Sequence, residues 1–227
     1  MNTNWDATSV AAREAFRSAV LSWIAKARIA NIQIQGPNAE LPRGFLASDF
    51  AVEPHVVSAM MQAGVPQTVA RAFASELAGA WKEWSDGLRM SLPGAFPSFA
   101  AFPGPSAPPT PTAQGGFALS NATSPGEYRL RAALLETRLL SALKAAGPGN
   151  RVAGKAVHEF AAWVESSFSE WKERTQIIGI MGKGPIPSFA PPYVPVGPVV
   201  GGDNIAMPGQ MTACLAGPRF GKVVIGR

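Results

Sequence analysis

Two proline-rich segments limit what this chain can fold into more than any other feature of its sequence. Seven prolines fall between Pro93 and Pro111, and six fall between Pro185 and Pro198. Proline lacks the backbone N–H that helices and central strands require, so the sequence predicts neither a helix nor a central strand in these segments. We expect two long, polyproline-like arms, over residues 93–120 and 183–227.

The segments around these prolines are repeated at a spacing of 90 residues. The run Trp81-Lys-Glu recurs at Trp171, and the run Pro97-Ser-Phe-Ala recurs at Pro187. Eight of the twenty positions from 81 to 100 are identical in the two copies. Further upstream the match continues at a spacing of 83 residues. The change of spacing, seven residues, falls near an inter-helix turn, where insertions are tolerated. We interpret the copies as a duplication. The alternative is that two unrelated segments, each leading from a helix into a loop, resemble each other only in composition.

Outside the arms, apolar residues recur at helical spacing. They predict helices over residues 8–30, 54–63, 66–90 and 124–146, and a fifth helix from the turn at 147–150 to about 176. Ser124, followed by Pro125 and Glu127, predicts a capping box at the start of the fourth helix. We expect residues 31–36 to form a strand or an extended exit from the first helix. We expect a loop over residues 35–44 and a short strand over residues 223–225.

The sequence therefore predicts a mainly α fold. It consists of two tandem helical-hairpin repeats, each followed by an extended proline-rich arm, with an extra N-terminal helix and an irregular C-terminal tail. The predicted boundaries are 1–41 for the N-terminal helix and linker, 42–120 and 121–200 for the repeats, and 201–227 for the glycine-rich tail. Four tryptophans on the helical stripes are interpreted as helix-core anchors rather than the lining of a ligand pocket: Trp81, Trp84, Trp163 and Trp171.

Composition excludes several functional classes. Charged residues make up 15% of the chain, well below the usual quarter, yet it carries six Trp and twelve Phe. Disordered proteins favour charge and avoid aromatic residues, so this chain needs surface to bury against. The net charge of +5 is scattered, and we expect no direct contact with nucleic acid. Without a secretory pattern or an apolar stretch of membrane-spanning length, we expect a soluble protein made in the cytoplasm.

The residue types that carry chemistry are sparse. Cys214 is the only cysteine, which excludes an intrachain disulfide and a cysteine-rich metal site. His55 and His158 are the only histidines, and we interpret both as structural. We predict no catalytic residues, no metal ligands, no cofactor and no small-molecule substrate. An enzyme with a helical pocket stays open as an alternative, and it requires one of these histidines beside a buried carboxylate in a cleft.

The repeated Pro-Ser-Phe-Ala segments are the predicted sites of protein contact. Phe99 and Phe189 each keep a fixed distance from a helix-borne tryptophan, which indicates docking rather than a simple spacer. Each ring either folds back onto its own chain or reaches a neighbouring subunit, where a stiff arm lowers the entropy cost of binding. The predicted interface residues are Pro97, Ser98, Phe99 and Phe102 in the first arm and Pro187, Ser188, Phe189 and Tyr193 in the second.

These features predict a non-enzymatic structural subunit of a large protein assembly. The partners are other subunits, including copies of the same chain. We expect a component of a virion or phage-like particle, such as a capsid, connector, tail or baseplate protein, located in the mature particle. The alternative is a cellular adaptor whose proline-rich segments are ligands for other protein modules.

Overall fold

The computed structural model describes residues 4–147, 154–187, 196–204 and 214–221. Within these residues about 52% of the positions are helical and 23% are in strands. The α-helices are α1 (Trp5–Lys26), α2 (Val52–Gln62), α3 (Gln67–Gly87), α4 (Ala132–Ala145) and α5 (Gly154–Arg174). Short 3₁₀ helices are η1 (Pro97–Ala100), η2 (Leu119–Asn121) and η3 (Pro125–Leu130).

The described strands are short, and their pairs are antiparallel. They are β1 (Arg28–Ile29), β2 (Gln33–Gln35), β3 (Asn38–Leu41), β4 (Leu46–Ala47), β5 (Met90–Leu92), β6 (Phe102–Pro103), β7 (Ser106–Pro111), β8 (Gly116–Ala118), β9 (Gln176–Ile178), β10 (Met181–Pro185), β11 (Val196–Gly197), β12 (Val200–Asn204) and β13 (Cys214–Ala216). The largest sheet has the strand order β5-β3-β2-β12-β10-β7, and a smaller one has the order β13-β9-β8. Strand β1 pairs with β4, and β6 pairs with β11.

The prediction of a mainly α fold, with two tandem helical-hairpin repeats, each followed by an extended proline-rich arm, and an irregular tail, is wrong. The proline-rich segments and part of the tail pair as strands of a six-stranded sheet and of smaller sheets. Strand β7 contains three prolines, but it lies at the edge of the six-stranded sheet. An edge strand needs backbone donors on one side only, so proline is tolerated there. Ala107 lies opposite Gly184 and Thr110 opposite Gly182, which joins the first predicted arm directly to the second.

Glycine allows the strands of this sheet to pack closely on their neighbours. A Cβ atom at Gly182 would lie 2.5 Å from Cδ1 of Ile34 and 2.6 Å from the ring of Phe96. A Cβ atom at Gly202 would lie 2.6 Å from the carbonyl oxygen of Lys183. In the sequence these glycines suggested irregular backbone. In the structure they are required because only glycine leaves room for the neighbouring atoms that pack on these strands.

The helices follow the predicted periodicity, with corrections at their ends. Helix α1 stops at Lys26, before the predicted 30, because the chain turns extended at Ala27 and enters β1. The predicted loop over 35–44 contains β3. The predicted helix over 124–146 is divided into η3 and α4. The predicted strand over 223–225 lies outside the described residues.

Ser124 begins η3 as predicted, although the predicted reciprocal bond from Glu127 is replaced by another contact. The Ser124 side-chain oxygen accepts from the N–H of Gly126 at 3.1 Å and donates to the carbonyl of Trp84 at 2.7 Å. The Glu127 carboxylate accepts from Nζ of Lys172 at 2.6 Å. The start of η3 is thereby tied to both α3 and α5.

A cluster of aromatic rings fills the space between α1, α3 and α5. Its centre is Trp81, whose ring centroid lies between 5.4 and 6.2 Å from those of Phe16, Trp23, Phe168, Trp171 and Phe220 and 4.8 Å from that of Trp84. Edge-to-face aromatic pairs contribute about 0.5–1.5 kcal/mol each beyond the burial of their area. Three of the four predicted core tryptophans are buried here, whereas Trp163 is half-buried at the margin.

An ionic cluster connects α3 to η3 and α4 on the outside of this core. Arg129 donates to Glu83 at 2.6 Å and to Glu76 at 3.3 Å, and Arg138 donates to Glu76 at 2.7 Å. The hydrogen bond and the charge of Arg129 lower the pKa of Glu83 below its ordinary value of 4.5. The side chain of Arg129 is only 14% exposed, so solvent screens these contacts less than an ordinary surface pair.

We predict that Gly126→Ala strongly destabilises the protein. A Cβ atom there would overlap the backbone carbon and oxygen of Glu83, which belong to a helix and cannot move aside as a side chain could. Overpacking of this kind costs about 1–3 kcal/mol or more. The control is Gly147→Ala, where no atom lies within 4 Å of the added carbon. Urea unfolding of both variants measures the difference, and equal midpoints would contradict the described packing of η3 on α3.

We predict that Glu83→Gln removes stability in a pH-dependent manner. Because folding lowers the pKa of Glu83, its contribution is fully present above the ordinary pKa of 4.5 and is lost as the pH falls through the lower folded value. The free energy of unfolding should differ between wild type and variant at pH 7, and the difference should shrink as the solution is acidified below pH 4.5. Glu173→Gln, on an exposed part of α5, is the control. A difference that stays constant with pH would contradict the ion pair.

Candidate protein interaction surface

The Phe99 ring, a predicted interface residue, is buried within its own chain. It is 0% exposed, stacks on Phe96 at a centroid distance of 5.0 Å and meets Phe102 edge-on at 6.3 Å. Its carbonyl oxygen accepts a hydrogen bond from the N–H of Val199 at 2.9 Å. In the described conformation this ring is therefore buried inside its own chain and is not free to reach a partner, and the backbone of Phe99 joins the two proline-rich segments.

The remaining predicted interface residues differ in how exposed they are to solvent. Pro97, Ser98 and Pro187 are exposed, and Phe102 is half-buried. Ser188, Phe189 and Tyr193 lie outside the described residues. Pro97 occupies the first turn of η1, where its missing N–H costs no hydrogen bond. The turn of η1 thus directs Phe99 inward while Pro97 and Ser98 remain exposed.

The two proline-rich segments meet at two places that include exposed apolar residues. Strand pairing sets Pro103 opposite Val196, and the N–H of Ile186 donates to the carbonyl of Pro105 at 3.0 Å. Val196 is 61% exposed and Val200 is 41% exposed. We name these exposed residues the proline-rich surface: Pro97, Ser98, Pro103, Pro105, Pro108, Pro109, Val196 and Val200.

The proline-rich surface carries no charge. No Asp, Glu, Lys, Arg or His lies between Arg89 and Glu127 or between Lys183 and Asp203. Prolines add little flexibility, since the ring fixes the backbone angle φ. Charged residues are depleted at the centre of protein interfaces, so this composition fits a surface that another protein covers.

Grooves on both sides of α2 are the main alternative surface. One groove, of about 610 Å³, lies between α1 and α2 and is lined mostly by alanines with Val10. The other, of about 900 Å³, lies between α2 and α3 and includes Met61, Glu53 and Arg71. Val10 and Met61 are 47% and 43% exposed. Both grooves are open and include charged side chains, so their composition resembles ordinary protein surface more closely than the proline-rich surface does.

A smaller cavity of about 550 Å³ lies beside the start of α2 and above Trp23 and Trp81. The two indole rings are 4% and 1% exposed, so they form its floor but offer almost no area to a bound molecule. Nε1 of Trp81 is buried and has no hydrogen-bond partner among the described residues. A buried atom of this kind is inaccessible to an acceptor in the cavity, and we do not assign it a ligand.

Each histidine contacts a polar group on a neighbouring helix. Nε2 of His55 lies 3.1 Å from the hydroxyl of Ser18, and Nδ1 of His158 lies 2.8 Å from the carboxylate of Glu136. The His158 side chain is 64% exposed, so this pair lies on the surface and not in a cleft with a buried carboxylate. His55 meets Ser18 at the helix surface. The arrangement that would favour the enzyme alternative is not formed by either contact.

In the part of the chain that the structure describes, no three His, Cys, Asp or Glu side chains are grouped in a way that could hold a metal ion. No described helix has the length and apolarity needed to cross a membrane. The chain matches no known protein family, no curated protein and no solved structure. The function is therefore inferred from the residues themselves.

Sequence reasoning missed Val196 and Val200, which are among the most exposed large apolar residues in the described part of the chain. Their signal was available in part, because both lie in the uncharged run between Lys183 and Asp203. The sequence could not indicate which of its valines face outward, since Val199, between them in the chain, is 0% exposed. That distinction depends on pairing with β2 and β6, far away in the sequence.

We predict that Phe99→Ala destabilises the isolated chain by about 3–5 kcal/mol, as expected for truncation of a fully buried ring. The control Ser98→Ala, one residue away and exposed, should change the free energy of unfolding by less than about 0.5 kcal/mol. Thermal and urea unfolding of the monomeric protein measure both. A Phe99→Ala variant as stable as wild type would mean that the ring is not seated inside its own chain.

Proposed function

We propose that this chain is a non-enzymatic structural subunit of a larger protein assembly, and that the proline-rich surface contacts neighbouring subunits, including copies of the same chain. The observation that carries the proposal is an exposed apolar surface built from two uncharged segments. Neighbours are the favoured partner because a charge-free surface can meet a copy of itself without bringing like charges together, although the whole chain carries a net charge of +5.

The internal burial of Phe99 supports this proposal in a modified form. The backbone of Phe99 is bonded to Val199, directly before β12, and the two proline-rich segments are already paired through β7 and β10 before any partner binds. Conformational entropy is therefore lost on folding and not on association, which favours tighter binding for the same contact area. In this form the prolines and valines make the contact, and the phenylalanine keeps them in position.

The same pairing disfavours the adaptor alternative. A module that binds polyproline ligands needs a segment free to adopt that conformation. Residues Ser106–Pro111 form β7, and their register with β10 would have to be broken first. The finer hypothesis of a virion or phage-like particle remains part of the proposal, because particle subunits need extensive contacts between copies.

We predict that Val196→Glu weakens assembly by at least about tenfold, since a buried unpaired carboxylate at an interface costs more than about 1.4 kcal/mol. Val10→Glu is the matched control, because Val10 is similarly exposed but lies on α1, outside the proline-rich surface. Light scattering of the purified full chain over a range of concentrations measures the mass of the native species.

Wild type should form species well above the 23.8 kDa of one chain, with Val196→Glu shifted toward the monomer and Val10→Glu unchanged. A wild-type protein that stays monomeric at all concentrations would contradict the proposed function. Equal effects of the two substitutions would contradict the choice of surface.

A further inference from the structure

Residues 214–221 form a strap that runs over the surface and is fixed at one deep point. Strand β13 is the edge of its sheet and pairs with β9 over three residues, with Cys214 opposite Ile178. After β13, residues Gly217 and Arg219 are exposed. Phe220 is then 0% exposed. We name residues 214–221 the Phe220 strap.

The Phe220 ring occupies a socket built from three helices. Its centroid lies 5.9 Å from that of Phe16, 5.8 Å from Trp81 and 6.1 Å from Trp171. Trp163 closes the outer side at 6.3 Å. The socket is complete without any other residue of the strap, because all four rings belong to α1, α3 and α5.

One backbone contact fixes the residue that follows the ring. Nε of Arg17 donates to the carbonyl of Gly221 at 2.8 Å. Gly221 has φ of +59°, and a Cβ atom there would lie 2.8 Å from the ring of Trp163. This position needs glycine both for its backbone angle and for the close approach. The strap is therefore shaped for this socket rather than lying against it by chance.

We propose that the Phe220 strap is exchanged between copies of this chain in the assembly, so that Phe220 of one copy fills the aromatic socket of the next. Exchange keeps every contact that the strap makes, because the socket and β9 are identical in each copy, and it is a low-cost route to joining subunits. The inference rests on the proposed function, since it names the contact through which neighbouring copies are joined.

The attachment of the strap fits exchange. Its pairing is limited to one edge strand of three residues, and one ring supplies its deep burial. Nine residues separate Asn204, the end of β12, from Cys214. A chain of nine residues can span at most about 30 Å. That length sets the largest distance over which the strap can reach a socket.

The natural cysteine allows a direct test. Ile178→Cys places a second thiol opposite Cys214, and directly paired residues of antiparallel strands have Cα separations of about 4.5–5.5 Å, within the range that a disulfide spans. The assembled full-length variant is oxidised, denatured and separated on a non-reducing gel. Paired thiols have an effective concentration in the millimolar range, so linkage should be about a thousandfold faster than random collision at micromolar protein.

Two further variants complete the design. Ser141→Cys, which adds an exposed thiol on α4, away from the strap and outside the proline-rich surface, measures the rate of random linkage with Cys214. If Ile178→Cys does not fold, Gln176→Cys with Ala216→Cys and Cys214→Ser tests the same pairing at an exposed strand position.

Exchange predicts rapidly formed covalent dimers or larger species that a reducing agent returns to single chains. Assembled material in which the disulfide forms only within single chains would overturn strap exchange and leave the proposed function intact. A protein that is monomeric throughout would contradict both, and linkage no faster than in Ser141→Cys would also overturn the exchange.

Discussion

The packing of aromatic rings around Trp81 is the interaction on which the rest of this structure depends. Three helices from distant parts of the sequence contribute rings to one cluster, and Phe220 completes it. Because α3 and α5 each continue into strands at their C-terminal ends, fixing these helices also fixes where β5, β9 and β10 begin. Strands β3, β7 and β12 pair directly with β5 or β10, and β8 and β13 pair with β9.

This constraint explains how a chain rich in proline and glycine builds an ordered sheet. Prolines occupy the edge strand β7, where missing donors are harmless, and glycines occupy β10 and β12, where Ile34, Phe96 and Val199 press against the backbone. Aromatic rings such as Phe99 face inward and hold these strands in position. The exposed residues of the two segments are uncharged and are mainly proline and valine. This surface is the basis for proposing contact with neighbouring subunits.

Periodicity predicted the helices because their apolar faces are encoded locally, as in the Val69, Phe73, Leu77 stripe of α3. It failed for the strands because they are two to six residues long and contain few β-branched residues. Their pairing joins distant positions, such as Gln35 with Val200. The candidate surface was predictable in composition from its uncharged runs. Its exposed residues, Val196 and Val200, depended on those long-range pairs.

The most direct test of this account is hydrogen exchange at single amides in the isolated, monomeric chain. The N–H groups of Val199 and Ile186 bond to Phe99 and Pro105, respectively, across the two proline-rich segments. If these segments belong to the fold, both amides should exchange slowly, with opening free energies close to those of amides in α3. Exchange at the rate of an unstructured peptide, while α3 stays protected, would show detached arms and contradict the central claim.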